Sequence, residues 1–327
     1  MDIRQKVTDN IIAAIEAGTP PWRKGWTSAG LPYNFSSGKA YSGVNLVILS
    51  MQPDTRDPRH LTFKQADHMG LKVRKGAKGV QIVKMVEVDR HQAERESKSG
   101  GSGEVLAEDG RRALVLKAYT VFNATQIECM PPLLARDCNI QPAEAVEAVV
   151  WGLQDTGMKL NLGASEPAYS PRRDELLCPV ASSFHSIEDM HATLLHECAH
   201  ASGHPKRLSR LHLDARFGSA EYAREELRAE LASAMMTGLI GLPLGTSMIE
   251  SHAAYLSSWL DALRRDKTEI FRAAADAQRI CDYLSERALS AQPAVARQSF
   301  GGPRPARKAD EPAAADREDV QRGAAPR

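Results

Sequence analysis

No stretch of the 327 residues approaches 18 uninterrupted apolar positions, which argues against a membrane-spanning helix. Cysteine is sparse: Cys129, Cys138, Cys178, Cys198 and Cys281 are odd in number, widely spaced and free of any CxxC. That pattern excludes a disulfide framework and fits reduced thiols. The opening MDIRQKVTDNIIAAIEAG has acidic residues where a secretory signal needs an apolar core, so none is expected. The expectation is a cytoplasmic protein with no membrane partner. P-loop, RNP motif, helix-turn-helix signature, Cys/His finger and internal repeat are all missing. Net charge is nearly absent too, since 42 Lys and Arg against 41 Asp and Glu leave +1. The whole-chain balance therefore argues neither for nor against a polyanionic partner.

The distribution of charge says more than its sum. Residues 1–130 hold 19 basic and 14 acidic side chains, and residues 131–327 hold 23 and 27, so the halves carry +5 and −4. Different partners for the two halves follow as an expectation. With 43% hydrophobic and 25% charged residues, the chain is in the globular range and long enough for two domains.

Periodicity predicts helices over 5–17, 43–51 and 62–69, then strands at 80–88 and 114–123. The segment between those strands, 90–112, is charged and Gly/Ser-rich with equal numbers of acids and bases, and reads as a mobile insertion in a hairpin. Prolines and a loss of periodicity place a linker at 131–141. Beyond it the pattern predicts a helix at 142–156, short strands in KLNLG, AYS and DELLCP, the helix carrying LLHECAHASGH, and helices near 219–239, 247–264 and 266–289. Residues 290–327 are Ala, Pro, Arg, Asp and Glu with almost no large apolar residue, so a disordered tail is expected. The fold class is α+β: a small α+β domain over 1–130, then a mostly helical domain with a small sheet over 142–289.

The sharpest motif is His196-Glu197-Cys198-Ala199-His200. HExxH on a helix puts two imidazoles on one face around one ion, with the Glu as general base toward the attacking water. A third protein ligand is needed, and EELRAELASAMM offers Glu226 and Glu230 at i and i+4. Glu226 is expected to ligate and Glu230 to receive the free N–H of a ligand histidine. Glu225, offset by one, is expected at the solvent face. His204 is a rival third ligand, although the HExxHxxGxxH pattern is absent. AYSPRRDELLCP is the candidate edge strand for a substrate peptide. Tyr169 and Asp174 within it could touch substrate or merely support the turn, and His252 and Tyr255 are candidate oxyanion partners. Zn²⁺ is the expected ion, with Mn²⁺ possible, and the protein substrate is unidentified.

In the first half, Lys64, Lys72, Arg74, Lys75, Lys78 and Lys84 stand against one acid, Asp67, over residues 64–84. A basic, flexible loop with Trp22, Trp26, Tyr33, Phe35 and Tyr41 as stacking faces is what single-stranded nucleic acid requires.

Two sets of segments resemble a known family. VTDNIIAAIEAGTPPWRKGW, LPYNFSSGKAYSGVN, TFKQADHMGLKVRKGAKGVQIV and YTVFNATQ are similar to the N-terminal domain of ArdC-type antirestriction proteins. AYSPRRDELLCP, LLHECAHASGH, YAREELRAE and SHAAYLSSWLDALRRDKTEIFRAAADAQ are similar to their zincin metallopeptidase domain, so the resemblance runs in order over about residues 5 to 288. It implies a protein of plasmids and other mobile elements that helps incoming DNA escape restriction, with a single-stranded-DNA-binding half and a metallopeptidase-like half. Carried over by motif, His196, His200 and Glu226 would hold the metal and Glu197 would be the base. The basic loop with Trp22, Trp26, Asn34, Tyr41 and Asn45 would belong to the DNA-binding half. Cys198 departs from the Leu more usual within the family's motif and adds a thiol near the metal. Two alternatives stay open: a zincin half that is structural or for recognition only, and an accessory portion of a plasmid primase. The oligomeric state is not legible.

Overall fold

A computed structural model describes residues 2–18, 20, 22, 30–52, 56–89, 91, 103–109, 112–134, 141–211, 219–242 and 253–291, with the backbone alone at 103–109 and 253–255. The expected tail beyond 291, Trp26, His252 and the Tyr255 side chain lie outside the described residues.

Helix α1 (Ile3–Glu16) starts where the Asp2 carboxylate accepts from the N–H groups of Arg4 and Gln5, two of the donors a helix start leaves open. Val7, Ile11 and Ile15 form its buried stripe. The chain then builds β1 (Tyr33–Asn34), α2 (Val44–Ser50), β2 (Arg59–Thr62), α3 (Phe63–His68), β3 (Lys72–Val73), β4 (Val80–Asp89), β5 (Gly103–Asp109), β6 (Arg112–Asn123) and β7 (Ile127–Glu128). Strand β6 organises the main sheet. β4 pairs with it antiparallel from Val80↔Val121 to Asp89↔Arg112, β5 and β2 follow one another along its other side, and β1 extends β2 in parallel. The two-stranded β3–β7 pair sits apart.

Two features differ from the sequence reading. Residues 103–109, expected to be mobile, form β5 on the otherwise open side of β6. The Asp-Gly dipeptide at 109–110 between two strand-like runs is the hairpin signal behind it. Strand β2 was hidden by its polar composition. Arg59 and His60 are buried there because Arg59 is ion-paired with Asp57 and His60 bonds Gln52 and the Pro58 carbonyl. Burial lowers the His60 pKa to about 4, which keeps the ring neutral in that place.

The second half comprises α4 (Pro142–Gln154), β8 (Lys159–Leu162), β9 (Ala168–Ser170), β10 (Glu175–Cys178), α5 (Ile187–Ser202), α6 (Ala220–Ile240), α7 (Ala253–Arg265) and α8 (Glu269–Ser290). Helices α4 and α8 approach so closely at Gly152 that a Cβ there would meet the Arg287 carbonyl oxygen at 2.4 Å. The small sheet has the order β8-β10-β9, so DELLCP supplies its central strand and the free edges are β8 and β9. Of the candidate edge segment AYSPRRDELLCP, AYS forms the edge strand β9, whereas DELLCP is the central β10, whose backbone groups are already paired on both sides.

The apolar core runs unbroken across the sequence boundary near 131–141. Ile11 of α1 and Val47 of α2 share one cluster with Leu195, Leu227, Trp259 and Ile280 from the second half. Polar contacts stitch the same seam. The Thr8 hydroxyl donates to the Lys267 carbonyl at 2.8 Å, the Gly43 N–H donates to Gln278 at 3.2 Å, and Arg264 pairs with Glu16 at 2.6 Å. Among the described residues no helix is long and apolar enough to cross a membrane.

Candidate metal centre and nucleic-acid interface

Ser186 caps α5 by accepting from the Asp189 N–H, and the helix carries His196 and His200 on one face toward α6. The two helices run antiparallel, so ascending positions on α6 meet descending ones on α5. Glu225 lies against His200, Glu226 against both histidines and Glu230 against His196. His196, His200 and Glu226 bring ligand-type atoms within 4.8 Å of one another. The Nε2 atoms of His196 and His200 are 3.1 Å apart, and Glu226 oxygens stand 3.6 and 3.5 Å from them. Two donors held about 2.0–2.1 Å from one tetrahedral ion are themselves about 3.3 Å apart, so this N₂O triangle has the size a divalent ion needs. Glu197 is buried beside it on α5.

The electrostatics agree with a cation site. Burial by itself would lower the His200 pKa, but hydrogen bonding to Glu225 and Glu226 and the charges of Glu226 and Glu197 raise it to about 10. Burial opposes ionisation of Glu226, and the two histidines overcome it, holding the carboxyl below its ordinary range. Four glutamates, Glu197, Glu225, Glu226 and Glu230, thus crowd one buried place with Arg210 as the cation paired to them through Glu225.

Glu225 is a correction to the sequence reading. It is not at a solvent face: its carboxylate accepts from the His200 Nδ1–H at 3.4 Å and from the Arg210 guanidinium at 2.7 and 2.9 Å. Arg210 also donates to the Ala199 carbonyl at 2.9 Å. It reaches there because Gly203 lets the chain double back; a Cβ at 203 would meet Arg210 Nη2 at 2.9 Å and Leu211 at 2.8 Å. Arg228, the other basic residue near this run, turns to Asp276 and Glu269 of α8 and ties α6 to it.

Tyr169 and Asp174, candidates for touching substrate, are buried in a structural cluster. The Tyr169 hydroxyl donates to Asp174 at 2.8 Å, and Arg207 donates to both while also holding the Ala201 carbonyl at the end of α5. The supporting role is the one the structure favours. His204, the rival ligand, faces Asp174 at 3.7 Å and stands outside the three-donor group.

On the first half, Lys64, Lys72, Arg74, Lys75 and Lys78 are all exposed. Their loop is braced rather than flexible: Lys72 and Val73 pair with β7, the Arg74 N–H donates to the Gln126 carbonyl, and the Gln126 amide donates to the Lys78 carbonyl. Three expected partners prove committed elsewhere. Trp22 is fully buried 6.0 Å from the ring of Trp259, so it has no free face for a base. Asn45 clasps the open edge of β4, donating to the Val83 carbonyl and accepting from its N–H. Asn34 bonds Gln65 and Ser37, with Tyr41 beside it at 3.4 Å. Exposed aromatic surface comes instead from Phe63, next to Lys64, and from Tyr119 on β6.

Comparison with known proteins decides the family. The N-terminal domain of the anti-restriction factor ArdC matches residues 1–122, and the zincin-like metallopeptidase domain matches residues 144–276. The crystal structure of antirestriction ArdC from plasmid R388, Mn(II)-bound, superposes with a TM-score of 0.71 at 36% identity over 89% of this chain and all of that one. The chain belongs to the ArdC antirestriction family. The metal-free R388 structure agrees, with a TM-score of 0.70 at 37% identity. Uncharacterized protein y4eC of Sinorhizobium fredii is 36% identical over 301 residues, 89% of this chain and 94% of the relative. DNA primase TraC of Escherichia coli is 38% identical over 291 residues, 86% of this chain but only 27% of the primase. The N₂O donor triangle, the zincin-like domain and the Mn(II)-bound relative together support a divalent metal ion.

For this ArdC-family chain, the site residues that sequence reasoning missed are Glu225 as the partner of His200 and Arg210 as the partner of Glu225. Arg210 carries no local signal, since its role depends on the turn after α5. Outer partners that orient a ligating histidine are typically worth about 10- to 100-fold in metal affinity. Arg210→Ala should therefore weaken Zn²⁺ or Mn²⁺ binding by about that factor in calorimetric titration, and an unchanged affinity would remove Arg210 from the centre.

Proposed function

We propose that this chain is an antirestriction protein that binds single-stranded DNA through its first half and hydrolyses a peptide bond at a divalent-metal centre in its second. The observation that carries the hydrolytic reading is the N₂O donor triangle with Glu197 on the same helix. His196, His200 and Glu226 would hold the ion. When bound, a Zn²⁺ or Mn²⁺ ion polarises a peptide carbonyl and makes water a nucleophile at neutral pH. Glu197 takes the proton of the attacking water and later delivers it to the leaving amine. Glu230 and Glu225 orient His196 and His200 through their Nδ1 sides.

The DNA reading rests on the exposed row Lys64, Lys72, Arg74, Lys75 and Lys78 on a braced turn, with Phe63 beside it. Charge of that kind tracks phosphates and exposed rings stack on unpaired bases. A fluorescent oligonucleotide titrated over salt tests it. For a single strand, log K falls against log salt with a slope of about −0.7 per phosphate contact, so Lys75→Ala with Lys78→Ala should flatten the slope by about 1.4. An unaltered slope and affinity would move the interface elsewhere.

A second reading has one observation in its favour. Tyr169 and Asp174 are buried with Arg207 rather than presented to a substrate, which suits a zincin half used for recognition or shape alone. DNA shielding would then be the whole activity, and restriction evasion would survive replacement of both His196 and His200. The primase reading is weaker, because the chain spans only about a quarter of the matched TraC.

A further inference from the structure

We infer that the cavity between α1, α2 and the start of β4 is a subsite for one unpaired nucleobase. The inference rests on the single-strand reading above and gives it a place where bases, and not only phosphates, are felt. The cavity has a volume of about 560 Å³ and lies within the span of about 300–1,000 Å³ usual for ligand pockets.

Three observations select a nucleotide as its occupant. First, Lys78, Gly79 and Val80 line the cavity, so the basic turn carrying Lys72, Arg74 and Lys75 leads straight into its wall. Gly79 allows this course, because a Cβ there would meet the Thr120 methyl at 2.4 Å and Phe122 at 3.0 Å. Second, among the described residues the lining holds two cations, Lys6 and Lys78, and no carboxylate, which suits an anionic ligand. Third, the surface is amphipathic in the manner a base requires. Ile48, Met51 and Val80 offer apolar contact, while Asn10 and Gln81 add amides. Lys6 Nζ donates to Gln81 Oε1 at 2.7 Å. An ammonium has only donors, so it fixes which end of that amide is oxygen and leaves the N–H₂ end for an acceptor on a base edge.

A duplex cannot fill such a cavity without extruding a nucleotide, whereas a single strand presents its bases at no unpairing cost. The cavity therefore supplies preference for single strands, and the exposed cations supply affinity for any strand.

The test uses the full chain and three probes of equal length: a single strand, its duplex, and an oligonucleotide made wholly of abasic residues. The single strand should bind at least about 2- to 10-fold more tightly than the abasic strand, the worth of one net hydrogen bond to a base edge. Asn10→Trp on α1 and Gln81→Trp on β4, both at exposed positions, should each erase that difference while duplex affinity and the melting midpoint stay as in the parent. Parent binding that ignores the missing bases, or folded variants that keep the difference, would overturn the cavity and leave the DNA reading standing. A parent that binds none of the three probes would overturn both.

Discussion

Glu197→Gln is expected to reduce peptide hydrolysis by about 10²–10⁴-fold, the usual contribution of a positioned general base. The amide keeps the volume of the carboxylate and loses the basic oxygen. It also leaves His196, His200 and Glu226 untouched, so metal affinity should stay that of the parent, as should the single-strand binding proposed for the cation row. Labelled casein provides the activity readout and calorimetry the metal readout. Cleavage that persists in the variant would sink the general-base role. Metal binding lost together with cleavage would mean that Glu197 is a ligand, and the donor set would need to be redrawn. His196→Ala behaves differently on the same reading, because it removes a corner of the triangle and both readouts should fall.

The second large effect concerns the seam between the halves. Trp22 is fully buried against Trp259, which lies 237 positions later in the chain. Trp22→Ala should cost about 3–5 kcal/mol, because the surrounding helices can close only part of the void. It should lower the melting midpoint on the order of 10 °C. Since α1 and α2 share one core with α7 and α8, the expectation is a single cooperative transition that moves as a whole, followed by circular dichroism and by release of bound metal. A variant in which the metal-binding half melts at the parent temperature would show that the two halves are energetically separate. The same continuity predicts poor folding for any fragment that ends near residue 130, because the stripe Val7, Ile11 and Ile15 would lose its cover.

The sequence by itself determined whatever depends on local periodicity. The i, i+4 spacing of His196 and His200 is a property of one helix, and that helix is legible from the apolar run that carries the motif. Glu226 and Glu230 follow for the same reason, since 3.6 residues per turn put them on one face whatever that face meets. The helix order of both halves and the basic run 64–78 were equally local.

Only the tertiary structure decided which partner each side chain finds. Glu225 is one residue from Glu226, about 100° around α6, and nothing in that spacing says that Arg210 will arrive from another turn to hold it against His200. Trp22 sits in a segment of Pro, Gly, Ser and aromatics that reads as a ligand surface, yet α7 claims it. Asn45 looks available for a base until the open edge of β4 takes both ends of its amide. For Tyr169 and Asp174 the sequence leaves substrate contact and support of the turn as alternatives, and Arg207 closing over them decides for support. In each case the deciding contact spans 33 positions or more in the chain or comes from a turn whose course no periodicity encodes, and burying a polar group obliges it to find such a contact.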